Sequence, residues 1–484
     1  MINNILAFSD VMATILSVLV AFLVLLLTIT VHEFGHYVVG KLLKFKITEF
    51  AIGMGPAIFK KTKKNGEVFS IRLLPLGGFC AFEGEDDAGS PGKEKEDHKT
   101  GDPKPDADAP APLSENAFDN KKPWQRILVL LAGGVTNVVF AIIVVAVSFS
   151  IYGQSMISVG SVASGNAVEN EYCLVEGDRI LEIDGKYVYL TTDLNDYLNG
   201  KKQGDKVSVL VENDGKRLTR QVYLRNDVKV ESMTDFSLSL SALGIGTTIT
   251  VESNEGSAFP NGAQLISLED GTRIEKLSQI WDKLAETDVG DSVKINAVVD
   301  GEERVLTIVV PENIEDVKGE YASNKERTDA FKKLFNVNAF YAYFNVSSNN
   351  VKLGFFEGLY RAPVYGVKTM LVTLKSIGGL FNGSVSVTDM SGPVGTIKIT
   401  SQAVKMGFSS GLYYVLEIMA LIGISIGVFN LLPVPALDGG RIVFVVIEWI
   451  RGKPINKKVE AVIHFVGLIT LIAFAVLVDL LKLF

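Results

Sequence analysis

Apolar residues in this chain are gathered into four long blocks, and the segments between them follow quite different patterns. Val11 to Val31 is 21 residues without a charge, and Ile127 to Tyr152 is 26. Leu412 to Leu432 carries one acid, Glu417, while the 18 residues from Ala461 to Val478 carry no Asp, Glu, Lys or Arg. Each block is long enough to cross a bilayer as a helix. The first does not read as a signal peptide. Residues 1–10 hold no Lys or Arg, no small-residue cleavage site follows, and the apolar run exceeds the ~7–15 residues of a signal core. A retained helix is expected there.

Between the second and third blocks the pattern shortens to alternating apolar runs, and it repeats. Gly185, Gly204 and Gly215 are followed by Gly271, Gly290 and Gly301, a constant offset of 86. In each copy two alternating runs flank an Asp-Gly pair, which predicts a β-hairpin. A short helical pattern precedes each hairpin, with Leu194, Tyr197 and Leu198 in the first copy and Leu277, Ile280, Trp281 and Leu284 in the second. Residues 83–119 are mostly Asp, Glu, Pro, Ala, Gly and Lys. Such a segment buries too little apolar surface to offset its ordering entropy, and disorder is expected. Residues 355–382 read as an amphipathic segment near a surface.

Basic residues set an orientation. Eight lie in residues 41–72 and five in 441–458. The positive-inside tendency places both segments in the cytoplasm. Both termini, and the long stretch between the second and third blocks, are then extracytoplasmic.

The net charge of −8, without a clustered basic face, argues against a nucleic-acid partner. The two cysteines, Cys80 and Cys173, build neither a disulfide framework nor a four-cysteine zinc site. Histidine chemistry rests on four residues: His32, His36, His98 and His464. The first two stand in His32-Glu33-Phe34-Gly35-His36. On a helix, positions i and i+4 share a face about 6 Å apart. Two imidazoles so placed can hold one zinc ion, with the glutamate between them as general base. His36 is five residues before Lys41, about 7.5 Å along a helix, so the motif lies below the membrane surface. Ionisable groups at that depth point to a functional site.

Catalytic zinc takes a third protein ligand and leaves one position open. His98 falls in the acidic segment, and His464, alone on the fourth block, reads as a packing or interfacial residue. Asp438 is the better candidate. It sits in Asn430-Leu-Leu-Pro433-Val-Pro435-Ala-Leu-Asp438-Gly439-Gly440, where two prolines break the helix inside an apolar stretch. Irregular backbone at that depth is tolerated where it lines a cavity, and a carboxylate there needs a cationic partner, which zinc is.

With those motifs assembled, the chain resembles the bacterial site-2 proteases, zinc metalloproteases that cut within the membrane. His32 to His36 matches that family's first motif, Asn430 to Gly440 its Asn-x-x-Pro-x-Pro-x-Leu-Asp-Gly-Gly motif, and Ser391 to Gly395 a loop before the third span. One departure is Gly134, in Ala132-Gly-Gly134-x-x-Asn137, where many relatives have proline. Small residues there let helices approach closely, and Asn137 is a candidate to hydrogen-bond a neighbouring span or substrate. The repeated unit resembles a PDZ domain, most clearly in Glu176 to Gly185 and less so in the second copy.

The resemblance implies a polytopic α-helical membrane protein with four transmembrane helices, a membrane-associated β-loop and an extracytoplasmic tandem PDZ-like α+β insertion. The expected divisions are 1–46 (first span with His-Glu-x-x-His), 47–82 (β-loop), 83–122 (disordered acidic cytoplasmic loop) and 123–153 (second span). They continue with 158–228 and 240–312 (PDZ-like domains, the second divergent), 313–410 (connector and amphipathic segment), 411–450 (third span) and 459–484 (fourth span). Zinc would be held by His32, His36 and Asp438, with Glu33 activating water. Asn430, Pro433, Pro435, Gly77 and Gly78 would meet the substrate. That substrate would be a single-span membrane protein, such as an anti-sigma factor or a signal-peptide remnant, cut after external trimming. The β-loop edge, and the PDZ-like groove as a second place, would take extended peptide. The expected setting is the bacterial plasma (inner) membrane, in contact with the lipid bilayer, with the active site near the cytoplasmic side. Rival readings from the same residues are a catalytically silent membrane adaptor and a metal transporter.

Overall fold

The computed structural model describes residues 2–85, 114–162, 173–230, 235–314, 324–387 and 390–481; most of the acidic segment, with His98, lies outside them. The chain forms two units, Met1–Gly153 with Lys352–Phe484, and Gln154–Val351.

The first unit opens with α1 (Ile2–Leu42), whose Lys41 in the last turn offsets the negative end of the helix dipole. A hairpin of β1 (Ile47–Thr62) and β2 (Val68–Phe82) follows, turning at Asn65-Gly66. It folds back on itself. Residues 49–52 pair with 78–81 on one side and 68–71 on the other, and 57–62 pair with 68–72. Bends fall at Gly53, Gly55 and Gly77, with φ of 85°, 84° and 89°, a region open to glycine without strain. Four short segments result, with 78–82 along one edge.

The hairpin tip is anchored to α1 through Glu67, whose side chain is buried between Lys41 and Lys63. Burial pushes this carboxyl up, but hydrogen bonds from Lys41, Lys63, Tyr37 and Asn65 outweigh it and bring its pKa down to about 2. A depressed pKa stabilises the fold above the ordinary carboxylate range, and that contribution is lost as pH falls through about 2. Glu67→Gln is therefore expected to loosen the tip at neutral pH by about 2 kcal/mol, the worth of hydrogen bonds to a charged group. Limited proteolysis within residues 57–70 at pH 7 checks this, and the difference from wild type should vanish in strong acid.

Disorder was expected as far as residue 122, but residues 114–122 are ordered. Phe118 packs its ring 5.7 Å from Phe45 and 6.0 Å from Phe82, and its amide donates to Glu83 O at 2.7 Å. One aromatic anchor reverses what the surrounding composition suggests. α2 (Pro123–Tyr152) then begins with proline at a position that needs no donor, and Gln125 Oε1 caps the Lys122 amide.

The second unit holds two sheets. The first comprises β3 (Gln154–Val159), β4 (Arg179–Ile183) with the short β5 (Lys186–Tyr187), β6 (Lys206–Asn213) and β7 (Lys216–Tyr223), with α3 (Thr192–Leu198) between β5 and β6. After α4 (Ser237–Ala242) come β8 (Thr247–Ser253), β9 (Gln264–Leu268), α5 (Leu277–Glu286), β10 (Ser292–Val299), β11 (Glu302–Val309), α6 (Asn324–Phe335), β12 (Val337–Phe344) and β13 (Val346–Val351). Strand orders are β13-β3-β4-β6-β7 and β12-β8-β9-β10-β11. Each sheet packs on its own core. Ile180, Leu194, Leu198 and Val209 meet in one, and Leu265, Ile280, Leu284 and Ile295 in the other.

Residues 313–410 were expected to be a connector. Their first part instead supplies the outer strand of each sheet, β12 against β8 and β13 against β3. An exposed row of backbone donors and acceptors on β3 and β8 would otherwise lack partners. The second sheet is thus inserted before the last strand of the first, and Gln154 and Val351 finish as neighbours.

Back in the first unit, α7 (Phe355–Asn382) and α8 (Pro393–Ser410) precede α9 (Tyr413–Asn430), α10 (Asp438–Arg451) and α11 (Lys457–Leu481). The expected third span, 411–450, is therefore two helices, parted where Pro433 and Pro435 forbid helical hydrogen bonding. Among the described residues four helices are long and apolar enough to cross a membrane: Met12–Leu42, Pro123–Tyr152, Tyr413–Asn430 and Lys457–Leu481. α2 packs against α1, α7, α9 and α10. It meets α9 backbone to backbone, since a methyl on Gly134 would lie 2.8 Å from Gly427 O.

Candidate metal centre

His32 and His36 are both buried, one turn apart near the end of α1. α2 passes them at Gly133, where a methyl would lie 2.6 Å from His32 Cε1 and closer still to His36 Nε2. Asp438 arrives from a third direction as the first residue of α10, where a carboxylate suits the positive end of the helix dipole. The turn before it folds tightly over α10. A side chain on Gly439 or Gly440 would run into the carbonyls of Leu432 and Val434, which is why two glycines follow the aspartate.

His32 Nε2 lies 3.0 Å and His36 Nε2 3.3 Å from Asp438 Oδ2, and the two Nε2 atoms are 3.2 Å apart. His36 Nδ1 is 2.8 Å from Val129 O. A carbonyl only accepts, so Nδ1 carries a proton, and in the neutral ring Nε2 presents a lone pair to the cluster. The carboxylate presents lone pairs as well. Three converging electron-pair donors in a buried place call for a cation. Two imidazoles and one carboxylate are a three-ligand zinc set with a fourth position open.

Glu33 faces a cavity of about 260 Å³ with both histidines, Asp438, Asn430, Ala436 and residues 79–82 of β2 in its walls. A methyl on Gly78 would lie 3.4 Å from Glu33 Cγ, so the bare backbone of that strand runs beside the acid. Residues 79–82 of that edge and the Glu33 carboxyl thus border the same space. Arg441 and Glu85, paired at 2.5 Å, also line it.

The other residues singled out from sequence fall in different places. Asn430 reaches the cavity while its amide donates to Ile426 O at 3.0 Å. Pro433, Pro435, Gly77 and Gly78 are not among the cavity's lining residues. Asn137 is fully buried, and neither of its amide atoms has a hydrogen-bond partner among the described residues. His464 is not in the metal cluster; its Nδ1 accepts the Ala436 N–H at 2.8 Å. Gly133, the Val129 carbonyl and the Arg441–Glu85 pair escaped the sequence reading. Gly133 had a signal, the small-residue run in the second span, but its partner helix was not readable from it.

The profile of Peptidase family M50 matches residues 20–474. Relatives of similar length align along almost the whole chain. The "Regulator of sigma E protease" of Haemophilus influenzae is 28% identical over 94% of this chain and 96% of its own. A Fusobacterium nucleatum protein provisionally named a zinc metalloprotease is 28% identical over 96% and 99%. "Protease RseP" of Yersinia pestis is 28% identical over 95% and 97%.

Proposed function

The chain belongs to Peptidase family M50, zinc metalloendopeptidases of the site-2 type, and from that premise we propose that it cuts a peptide bond within or near the transmembrane helix of a single-span membrane protein. It is a polytopic membrane protein, and zinc is its cofactor. The observation that carries the proposal is the His32–His36–Asp438 cluster on membrane-spanning and adjoining helices, with Glu33 and strand residues 79–82 bordering one cavity.

His32, His36 and Asp438 would hold the metal, which when bound supplies Lewis acidity toward the scissile carbonyl. Glu33 takes a proton from the attacking water and delivers it to the leaving amine. A substrate helix keeps its amides bonded internally and must unwind before it is cut. The 78–82 edge replaces those hydrogen bonds by strand addition, holding the peptide beside Glu33. Asn430, in the cavity wall, offers its amide oxygen to a substrate N–H. By the distribution of basic residues the site lies near the cytoplasmic side of a bacterial plasma membrane, with the two-sheet unit outside. That unit, of PDZ-like character, screens substrates by size or docks a trimmed external end. An anti-sigma factor fits as substrate, since the Haemophilus influenzae relative is named for sigma E regulation.

The test uses liposomes holding the full chain or a form lacking residues 154–351, closed by a short linker since Gln154 and Val351 are neighbours. Each is given a single-span helix with a short external stub, and the same helix behind a folded external domain. The full chain is expected to cut the first only, and the shortened form both. Equal cutting of both by the full chain would end the screening role. No cutting by either protein with zinc bound would end the protease proposal.

A further inference from the structure

The fourth span makes two close contacts with the turn that delivers Asp438, and neither belongs to the metal cluster. His464 Nδ1 accepts the Ala436 N–H at 2.8 Å. Three residues on, Gly467 brings the helix against Pro435, since a methyl there would lie 2.5 Å from Pro435 Cβ and 2.7 Å from Pro435 O. Positions three apart share a helix face, so one face of α11 grips two consecutive residues of the turn. Ala436 needs the grip. Its φ is +79°, a left-handed backbone that residues with a side chain rarely adopt and that persists only where the surroundings enforce it. Ala436 is two residues before Asp438, so its conformation sets where the carboxylate arrives. Most of α11 is otherwise exposed, with Val478 its buried residue and Asp479 bonded to the Val394 and Gly395 amides at the start of α8. The ring of His464 is further fixed by Phe444 of α10, centroids 5.2 Å apart.

We propose that His464 is a positioning residue for the metal centre: its Nδ1, with Gly467 beside it, holds Ala436 in the left-handed conformation that aims Asp438 at His32 and His36. The proposal rests on the reading of that cluster as a zinc site. It accounts for a histidine in the fourth span without making it a ligand. It also assigns α11, which adds no side chain to the cluster, a part in keeping it assembled.

The experiment measures zinc retention against a chelator series, with kcat and KM on the stub substrate, for full-length wild type, three His464 variants and one control. His464→Leu removes the acceptor, His464→Asn puts an oxygen near the place of Nδ1, and His464→Gln puts its amide further out. Ile469→Ala, on an exposed part of α11, is the control. Expected is a 10–100-fold loss of zinc affinity in His464→Leu, the range for outer partners of metal ligands. kcat should fall with KM little changed, His464→Asn should recover to within a few-fold of wild type, and Ile469→Ala should not differ from it. If His464→Leu does not fold, the Asn–Gln pair decides. Tight zinc in Asn and weak zinc in Gln supports the role, and equal affinity overturns it. Wild-type affinity in His464→Leu also overturns it. Wild type that holds no zinc would instead bring down the reading of the site itself.

Discussion

Glu33→Gln is expected to lower turnover by about 10²–10⁴-fold, the usual worth of a positioned general acid–base, while zinc stays bound in full. The asymmetry follows from the geometry. Glu33 is not one of the three converging donors, so the metal set is intact without its charge. Glutamine has the same length and keeps the fit against the Gly78 backbone, so the cavity wall should not move. What is lost is a group that can accept a proton from water and return it to the leaving amine. Zinc content and single-turnover cleavage, measured on the same reconstituted sample, separate the two effects. Activity within tenfold of wild type would mean that another group is the base. Loss of zinc together with activity would mean that Glu33 is part of the metal set. A metal transporter using the same residues should keep partial flux in this variant, whereas a protease should lose its product.

The chemistry was more legible in the sequence than the architecture, and the reason is range. His32, Glu33 and His36 lie within one helical turn, so their spacing already states their shared face. The offset of 86 between glycines recurs in the strands themselves, from Lys206–Asn213 to Ser292–Val299 and from Lys216–Tyr223 to Glu302–Val309. What could not be read were pairings across long stretches of chain. β13 completes a sheet begun at Gln154, and nothing in Val346–Val351 names its partner. The fold-back of the hairpin into four segments depends on glycines whose sequence signal is only permissive. His464 was set aside because it stands alone on an apolar stretch; the amide its Nδ1 accepts from belongs to Ala436, 28 residues away.

Gly133→Ala is expected to be nearly as damaging as removal of a ligand, although the residue has no chemistry of its own. The added methyl would stand 2.6 Å from His32 Cε1 and 2.7 Å from its Nε2, with His36 Nε2 nearer still. α2 cannot retreat easily, because Gly134 already holds it against the Gly427 carbonyl of α9 and Ala132 O abuts Gly35 of α1. The imidazoles must turn instead. His36 would then give up its Val129 carbonyl, which fixes the tautomer that leaves Nε2 free to bind metal. A misplacement of about 1 Å costs about 10²-fold in rate, and disturbed support of a ligand about 10–100-fold in metal affinity. Both should fall together here, in contrast to Glu33→Gln. Gly378→Ala on α7 is the matched control. Its methyl meets nothing within 4 Å, so it should leave zinc and cleavage unchanged and, in a helix interior, add about 0.5–1 kcal/mol of stability. Zinc retention and cleavage in the two glycine variants, side by side, therefore read out how tightly the second span is pressed against the ligands. Wild-type behaviour of Gly133→Ala would show that α2 does not support them.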